Sequence, residues 1–154
     1  MIIYSLPYKL DLINHTTFNM VAILINYPEL GLSLPSSSQL TLIRELTMTT
    51  VAQKELTNAG GYKRHIVVPT APAITDDTYS VTVTSAFTAT TTDFDVATHI
   101  VYTRAANLSG ANDSNGNNIG SNIGTVVLVE SIEAAPYRVV AGVTFNHSTV
   151  LSIL

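Results

Sequence analysis

The sequence predicts a mainly β protein: an antiparallel β-sandwich or partly closed barrel, with at most one short helix and an extended N-terminal arm. Short segments rich in Val, Ile, Thr and Tyr alternate with turns rich in Gly, Asn and Pro, a pattern typical of such folds. Of the 154 residues, 46% are hydrophobic and 12% charged, so we expect a folded core rather than disorder. We predict an arm at residues 1–16 and a single domain at residues 17–154.

Strands are predicted where β-branched and aromatic residues cluster between turn signals. These segments are Thr17–Asn26, Tyr62–Val68, Thr78–Thr92, Ala97–Arg104, Gly124–Ser131, Tyr137–Ala141 and Thr149–Leu154. In the third segment an alternating pattern places Tyr79, Val81, Val83 and Phe87 on one face and Thr82, Thr84 and Thr88 on the other.

The remaining segments give weaker signals. Gln39–Leu56 fits both a helical and a strand period, and we predict a strand followed by a short helix or turn, with Ser38 a candidate cap. Pro69–Asp77 is predicted as a connection. Asn107–Asn122 consists largely of Asn, Gly and Ser and is predicted as a long surface loop.

Charge and hydropathy argue against nucleic acid and membrane partners. The net charge is −4, and Lys63-Arg64 is the only adjacent basic pair, whereas phosphate backbones are bound by clustered Lys and Arg. The longest apolar run, Met20–Ile25, is far shorter than the ~20 residues that span a bilayer. A basic flank followed by an apolar signal segment is not found at the start of the sequence, so we expect no export signal.

We expect no metal, no cofactor and no catalytic residue. The chain has no Cys, and its four His lack the spacing of zinc ligands. The loop that begins at Asp113 has Asn118 and Gly124 where a calcium-binding EF-hand requires Gly and Glu. The paired carboxylates Asp76-Asp77 and Asp93-x-Asp95 lie beside turn signals, where Asp is common as a turn cap, and no nucleophile motif is present.

Both ends of the sequence are apolar, and the N-terminal residues are candidates for an interface. A strand in the protein's own sheet and strand addition to a neighbouring subunit both explain this segment, and the sequence does not choose between them. The candidate interface residues are Ile2, Ile3, Tyr4, Leu6, Tyr8 and Leu10.

A tight turn is predicted at Asn58-Ala59-Gly60-Gly61, because glycine readily adopts positive φ angles. Tyr62 is then predicted to begin a strand with its ring in the core. Arg64, two residues further on, points to the same side and is placed to pair with Glu55 across the turn. An ordinary hairpin turn with a surface Arg explains the same residues without any function.

Three segments resemble a family of small virion structural proteins of tailed bacteriophages. Glu55–Arg64 is similar to a signature of Glu, paired Gly, Tyr and Arg in that family, and Ala97–Tyr102 to its Ala-Thr-His strand. Val139–Phe145 resembles its closing strand, although Val143 stands where the family commonly has Asp. Residues 1–40 match no part of the family pattern.

The resemblance implies a β-sandwich without catalysis that assembles with other virion subunits. On this basis we expect a capsid cement, or decoration, protein that joins neighbouring major capsid subunits, as a homo-oligomer for which we guess a trimer. The alternative is a tail or fibre component, for which Tyr79, Tyr102 and Tyr137 are candidate glycan-stacking residues. The virion, and the capsid rather than the tail, is the expected location.

Overall fold

A computed structural model describes residues 2–4, 20–30, 46–67, 73–75, 78–104, 126–132 and 137–153. Within these ranges the chain forms two antiparallel sheets and one α-helix, and the sheets are not closed into a barrel. The predicted mainly β class is therefore confirmed, in its open, sandwich-like form. Of the described helices, none is long and apolar enough to cross a membrane.

The first sheet contains five of the described strands. These strands are β1 (Ile2–Tyr4), β2 (Met20–Ile25), β3 (His65–Val67), β6 (His99–Arg104) and β7 (Val126–Ser131), in the order β1-β7-β6-β2-β3. The second sheet has the order β4-β5-β8 and consists of β4 (Ala73–Thr75), β5 (Thr78–Thr88) and β8 (Thr144–Ile153).

Strand β2 is buried on both faces, which explains its unbroken apolar sequence. Met20, Ala22 and Leu24 belong to a core shared with the second sheet, which contributes Val83 and Phe87. On the opposite face, the alternate residues pack in a second cluster with the helix and the chain around it. That cluster comprises Val21, Ile23, Ile25, Leu30, Leu46, Val51, Val101 and Val129.

The helix α1 (Met48–Lys54) covers the outer face of the first sheet through the buried side chain of Val51. Thr47 caps it, because its hydroxyl oxygen accepts a hydrogen bond of 3.2 Å from the Thr50 N–H. The predicted short helix is therefore confirmed, but its cap is Thr47 and not Ser38, which lies outside the described residues.

Several element predictions differ from the structure. Tyr137 forms only an isolated bridge with Ala97, and the chain turns at Gly142, whose φ is 81°. The segment Tyr137–Ala141 is therefore not a strand, and β8 begins at Thr144, five residues before the predicted start. The predicted connection Pro69–Asp77 contains β4, which pairs with β5 through Ile74 and Tyr79.

For the N-terminal segment, Ile2–Tyr4 pairs with Leu128–Glu130 of β7 in the protein's own sheet. For these three residues the structure gives the first of the two alternatives, and their role in an interface stays a prediction. The other candidate interface residues, Leu6, Tyr8 and Leu10, and the predicted loop Asn107–Asn122 lie outside the described residues.

Candidate interaction surface

The predicted turn is present, and its glycines are required by the packing around them. Gly60 and Gly61 have φ values of 66° and 81°. A Cβ atom on Gly60 would lie 2.2 Å from the backbone oxygen of Thr92. The Gly60 carbonyl accepts hydrogen bonds from the N–H and the hydroxyl of Thr90, at 2.8 and 2.9 Å. The turn is thus fixed to the chain that follows β5.

The predicted ion pair between Glu55 and Arg64 is also present, and it is bidentate. Arg64 Nε donates to Glu55 Oε1 and Nη2 to Oε2, both at 2.7 Å. The Tyr62 hydroxyl donates to Glu55 Oε1 at 3.0 Å and accepts the Leu24 N–H at 3.2 Å. Burial, reinforced by the negative charge of Glu55, raises the pKa of Tyr62, so this hydroxyl stays protonated and remains a donor.

Tyr62 does not begin a strand, contrary to the prediction. Its N–H bonds to the Ala59 carbonyl at 3.2 Å, and β3 starts three residues later at His65. The ring is buried as expected and meets Phe94 edge to face, with centroids 5.6 Å apart. Glu55, Tyr62 and Arg64 satisfy one another in the fold, which favours a structural role for this cluster.

A second polar cluster, which sequence analysis missed, connects the two sheets. Glu130 of β7 and His147 of β8 are in contact, with 2.9 Å between Oε2 and Nε2, and form an ion pair when the imidazole is protonated. The Thr149 hydroxyl donates to the same carboxylate at 2.7 Å. Burial tends to raise the pKa of Glu130, but the hydrogen bonds from His147 and Thr149 and the charge of His147 outweigh it, and the pKa is lowered. No spacing signal could reveal residues 17 and 19 positions apart on different sheets.

His99 is the most isolated of the described histidines. Its Nδ1 lies 2.7 Å from the Thr98 hydroxyl, while its buried Nε2 has no hydrogen-bond partner. Burial lowers the pKa of His99 to about 4, so the ring is neutral at pH 7. Among the described residues, no group of three or more His, Cys, Asp or Glu could hold a metal ion.

The carboxylates Asp93 and Asp95 are exposed and hold turns in place. Asp93 Oδ1 accepts the Ala141 N–H at 2.9 Å, and Asp95 Oδ2 accepts the Thr57 hydroxyl. Both partners are distant in the sequence, so these carboxylates connect separate turns instead of capping their own turn as predicted. Asp76 and Asp77 lie outside the described residues.

Of the candidate glycan-stacking residues, Tyr102 is fully buried, and its hydroxyl lies 3.1 Å from that of Ser85. Its prediction as a stacking residue is therefore wrong. Tyr137 is half-buried against Phe145, with ring centroids 5.0 Å apart. The side chain of Tyr79 lies outside the described part of the structure.

A shallow pocket of about 260 Å³ lies between β3 and β5. Lys63, Arg64 and His65 line one side, and Thr88 and Thr90 line the other. The Arg64 guanidinium pairs with Glu55.

An extended exposed surface is formed by the face of the second sheet that points away from the core. We call it the outer face and define it by Thr82, Thr84, Ala86 and Thr88 of β5 and Thr144, Asn146, Ser148 and Val150 of β8. These positions are exposed or half-exposed, and none carries a charge. Hydroxyl pairs link the two strands, Thr84 with Ser148 at 2.9 Å and Thr88 with Thr144 at 2.8 Å.

The alternation of Thr82, Thr84 and Thr88 predicted the β5 half of this surface. The β8 half was missed, because strand β8 was expected to start only near Thr149. Its exposed half mixes Thr, Asn, Ser and Val, so it does not show a clear alternation of polar and apolar residues.

No family model, curated protein or solved structure matches this chain.

Proposed function

We propose that this chain is a structural protein of a tailed-phage virion, and specifically a capsid cement protein that stabilises contacts between major capsid subunits. Its mechanism is burial of surface across neighbouring subunits, with no chemical step. The observation that supports this role best is the uncharged outer face of the second sheet.

The outer face is unusual for a surface that remains in water. Soluble domains carry a surface in which roughly a quarter to a third of the residues are Lys, Arg, Glu or Asp. The outer face has none, and Val150 within it is 59% exposed. Interfaces are likewise depleted of charge at their centre, so this composition fits a face that neighbouring capsid subunits cover.

Both faces of the first sheet are covered by other parts of the described fold. One face of the first sheet packs on the second sheet, and the other carries α1. In the Glu55–Arg64 and Glu130–His147 pairs, the polar side chains bond to each other within the fold. The outer face is therefore the described surface best suited to contact a partner.

A binding experiment with capsids tests this role. Purified protein is mixed with expanded capsids that lack it, and bound protein is measured after sedimentation. We expect saturable binding and capsids more resistant to heat or denaturant. Absence of binding would contradict the cement role. Gold labelling of the protein in intact particles separates head from tail, and label on the tail would support the fibre alternative.

Two matched variants place the contact on the outer face. Asn146→Lys adds one charge to an exposed position of that face, whereas Gln53→Lys adds the same charge to the exposed side of α1. We expect the first to weaken capsid binding about tenfold or more, because a buried unpaired charge is costly. The second should bind as the wild type does, and equal binding of both would exclude the outer face.

A further inference from the structure

We infer that β8 is a self-association edge, where two copies of the chain pair their β8 strands antiparallel about a two-fold axis at Ser148. The inference rests on the backbone of β8 and holds whether or not the protein is a virion component. It joins the three described strands of the second sheet in one copy to the same three strands in the other.

Two hydrogen bonds fix which groups of β8 point to the open edge. The Ala89 N–H donates to the Val143 carbonyl at 3.1 Å, and the Ala89 carbonyl accepts the Gly142 N–H at 2.9 Å. Ala89 is therefore a hydrogen-bonded position of the antiparallel ladder, opposite a bulge at Gly142-Val143. Hydrogen-bonded pairs alternate with pairs whose N–H and C=O groups point away from the partner strand. Along β8 the register with β5 runs through ten residue pairs, from Thr144 to Ile153.

Applied along this register, the alternation directs the N–H and C=O groups of every second residue away from β5. These residues are Thr144, Asn146, Ser148, Val150 and Ser152. The hydroxyl pairs agree with this assignment, because cross-strand side chains come closest in the pairs without backbone hydrogen bonds. Since β8 is the last strand in the order β4-β5-β8, these groups face the open side of the described sheet.

Several features that normally protect an edge strand are missing within β8, although His147 faces Glu130 on its inner side and a bulge at Gly142-Val143 precedes it. Proteins block such edges with Lys, Pro, inward-pointing charges, bulges or short strands. Thr144–Ile153 contains no Lys, Arg, Asp, Glu or Pro, and its pairing with β5 shows no shift in register. Ten residues make it longer than a typical strand of five or six.

A second copy is the occupant that this edge fits. A two-fold axis at Ser148 places each Ser148 opposite its equivalent, Asn146 opposite Val150, and Thr144 opposite Ser152. Each pair forms two backbone hydrogen bonds, about ten in all. Because symmetry brings equivalent residues together, a charge on this strand would meet a like charge nearby, and the outer face offers none. The two-fold pair differs from the trimer guessed in the sequence analysis.

The absence of Cys from the chain allows a register-specific test by cross-linking. In the proposed pairing the two Ser148 Cα atoms are about 5.5 Å apart, within the roughly 4.4–6.8 Å that a disulfide spans. The two Asn146 residues are offset by four positions, or about 14 Å along the strand. Ser148→Cys and Asn146→Cys are both exposed and lie two residues apart, so each controls for the other.

We expect Ser148→Cys to form a disulfide-linked dimer under mild oxidation, at least tenfold faster than Asn146→Cys and than Gln53→Cys on α1. Equal rates for the three variants, or a monomeric Ser148→Cys, would overturn the inference. Sedimentation of the wild-type protein at about 100 μM should show a dimer, and a monomer at this concentration would also overturn it.

Charge complementation gives an independent check. Ser148→Lys and Ser148→Glu should each be monomeric, because like charges meet at the axis, whereas an equimolar mixture should dimerise. No recovery in the mixture would contradict the two-fold register. Thermal unfolding of each variant alone confirms that it is folded. If the wild type is monomeric but still binds capsids, the dimer is excluded and the proposed function survives.

Discussion

The guanidinium of Arg64 donates two hydrogen bonds of 2.7 Å to the carboxylate of Glu55. The two residues lie on either side of a turn that contains two glycines with positive φ. Glu55 also forms an isolated bridge with Ile25 at the end of β2. The pair therefore fastens the chain before the turn to the chain after it, next to the central strand of the first sheet. Both side chains are largely buried, with 10% and 11% exposure.

Removing the Arg64 guanidinium should destabilise the fold strongly. In Arg64→Ala the Glu55 carboxylate loses both hydrogen bonds from the guanidinium and keeps the one from the Tyr62 hydroxyl. Breaking a buried pair in this way costs about 3 kcal/mol. Arg64→Lys should recover part of the lost stability, because Lys keeps the positive charge but cannot form the bidentate hydrogen bonds. The free energy of unfolding in urea measures both. The neighbouring exposed Lys63→Ala should change it by less than about 0.5 kcal/mol, and an equal loss there would contradict this account.

Substituting two glycines that both have positive φ distinguishes the cost of a steric clash at the new Cβ from the cost of the backbone conformation. Gly60→Ala places a Cβ 2.2 Å from the Thr92 oxygen, whereas around Gly142, with φ of 81°, no atom lies within 4 Å of the new Cβ. Gly142→Ala should cost only about 1–2 kcal/mol for the left-handed conformation. Gly60→Ala should cost clearly more, about 4 kcal/mol. Thermal unfolding of the two variants compares their stabilities. Similar losses of stability would show that the chain at Thr92 does not pack tightly against Gly60.

Acid should weaken the link between the sheets through Glu130. Its pKa is lowered in the folded state, so the unfolded chain binds a proton more readily over the window below the ordinary value of 4.5. The stabilisation is complete above that value and is lost as pH falls towards the folded pKa. Glu130→Gln should reduce stability at pH 7 and flatten the dependence below pH 4.5. An unchanged acid profile would contradict the role of this carboxylate.

His99 should act in a different pH window. Burial lowers its pKa from 6.5 to about 4, so between these values the unfolded chain takes up a proton that the folded protein does not. Stability should therefore fall as pH drops from 6.5 towards 4, by up to about 3 kcal/mol. NMR titration of the His99 ring measures the midpoint directly. A midpoint near 6.5 would show that the ring is open to water.

The sequence predicted those parts of the fold that depend on local pattern. The continuous apolar run of β2, the alternation in β5 and the glycine turn at Gly60 are each encoded by neighbouring residues. The pairing of Arg64 with Glu55 could also be predicted from the sequence, because the two residues lie only nine positions apart.

Strands and contacts that depend on residues distant in the sequence could not be predicted. Asn146 and Ser148 are individually weak strand signals, and they belong to β8 because β5 offers ten consecutive pairing positions. Glu130 meets His147 only because β7 and β8 lie on facing sheets. The strand predicted at Tyr62–Val68 is confirmed for His65–Val67, which pairs with β2, but its predicted start is wrong because the turn holds Tyr62 outside the ladder.

The central claim is that neighbouring subunits cover the edge and outer face of the second sheet, and amide hydrogen exchange along β8 tests it most directly. In dilute monomer, the amides of Asn146, Ser148 and Val150 should exchange quickly, whereas those of Phe145, His147 and Thr149, which face β5, should be protected. At high concentration or in assembled particles, we predict that the first set becomes protected as well. Fast exchange at Asn146, Ser148 and Val150 under both conditions would contradict the account.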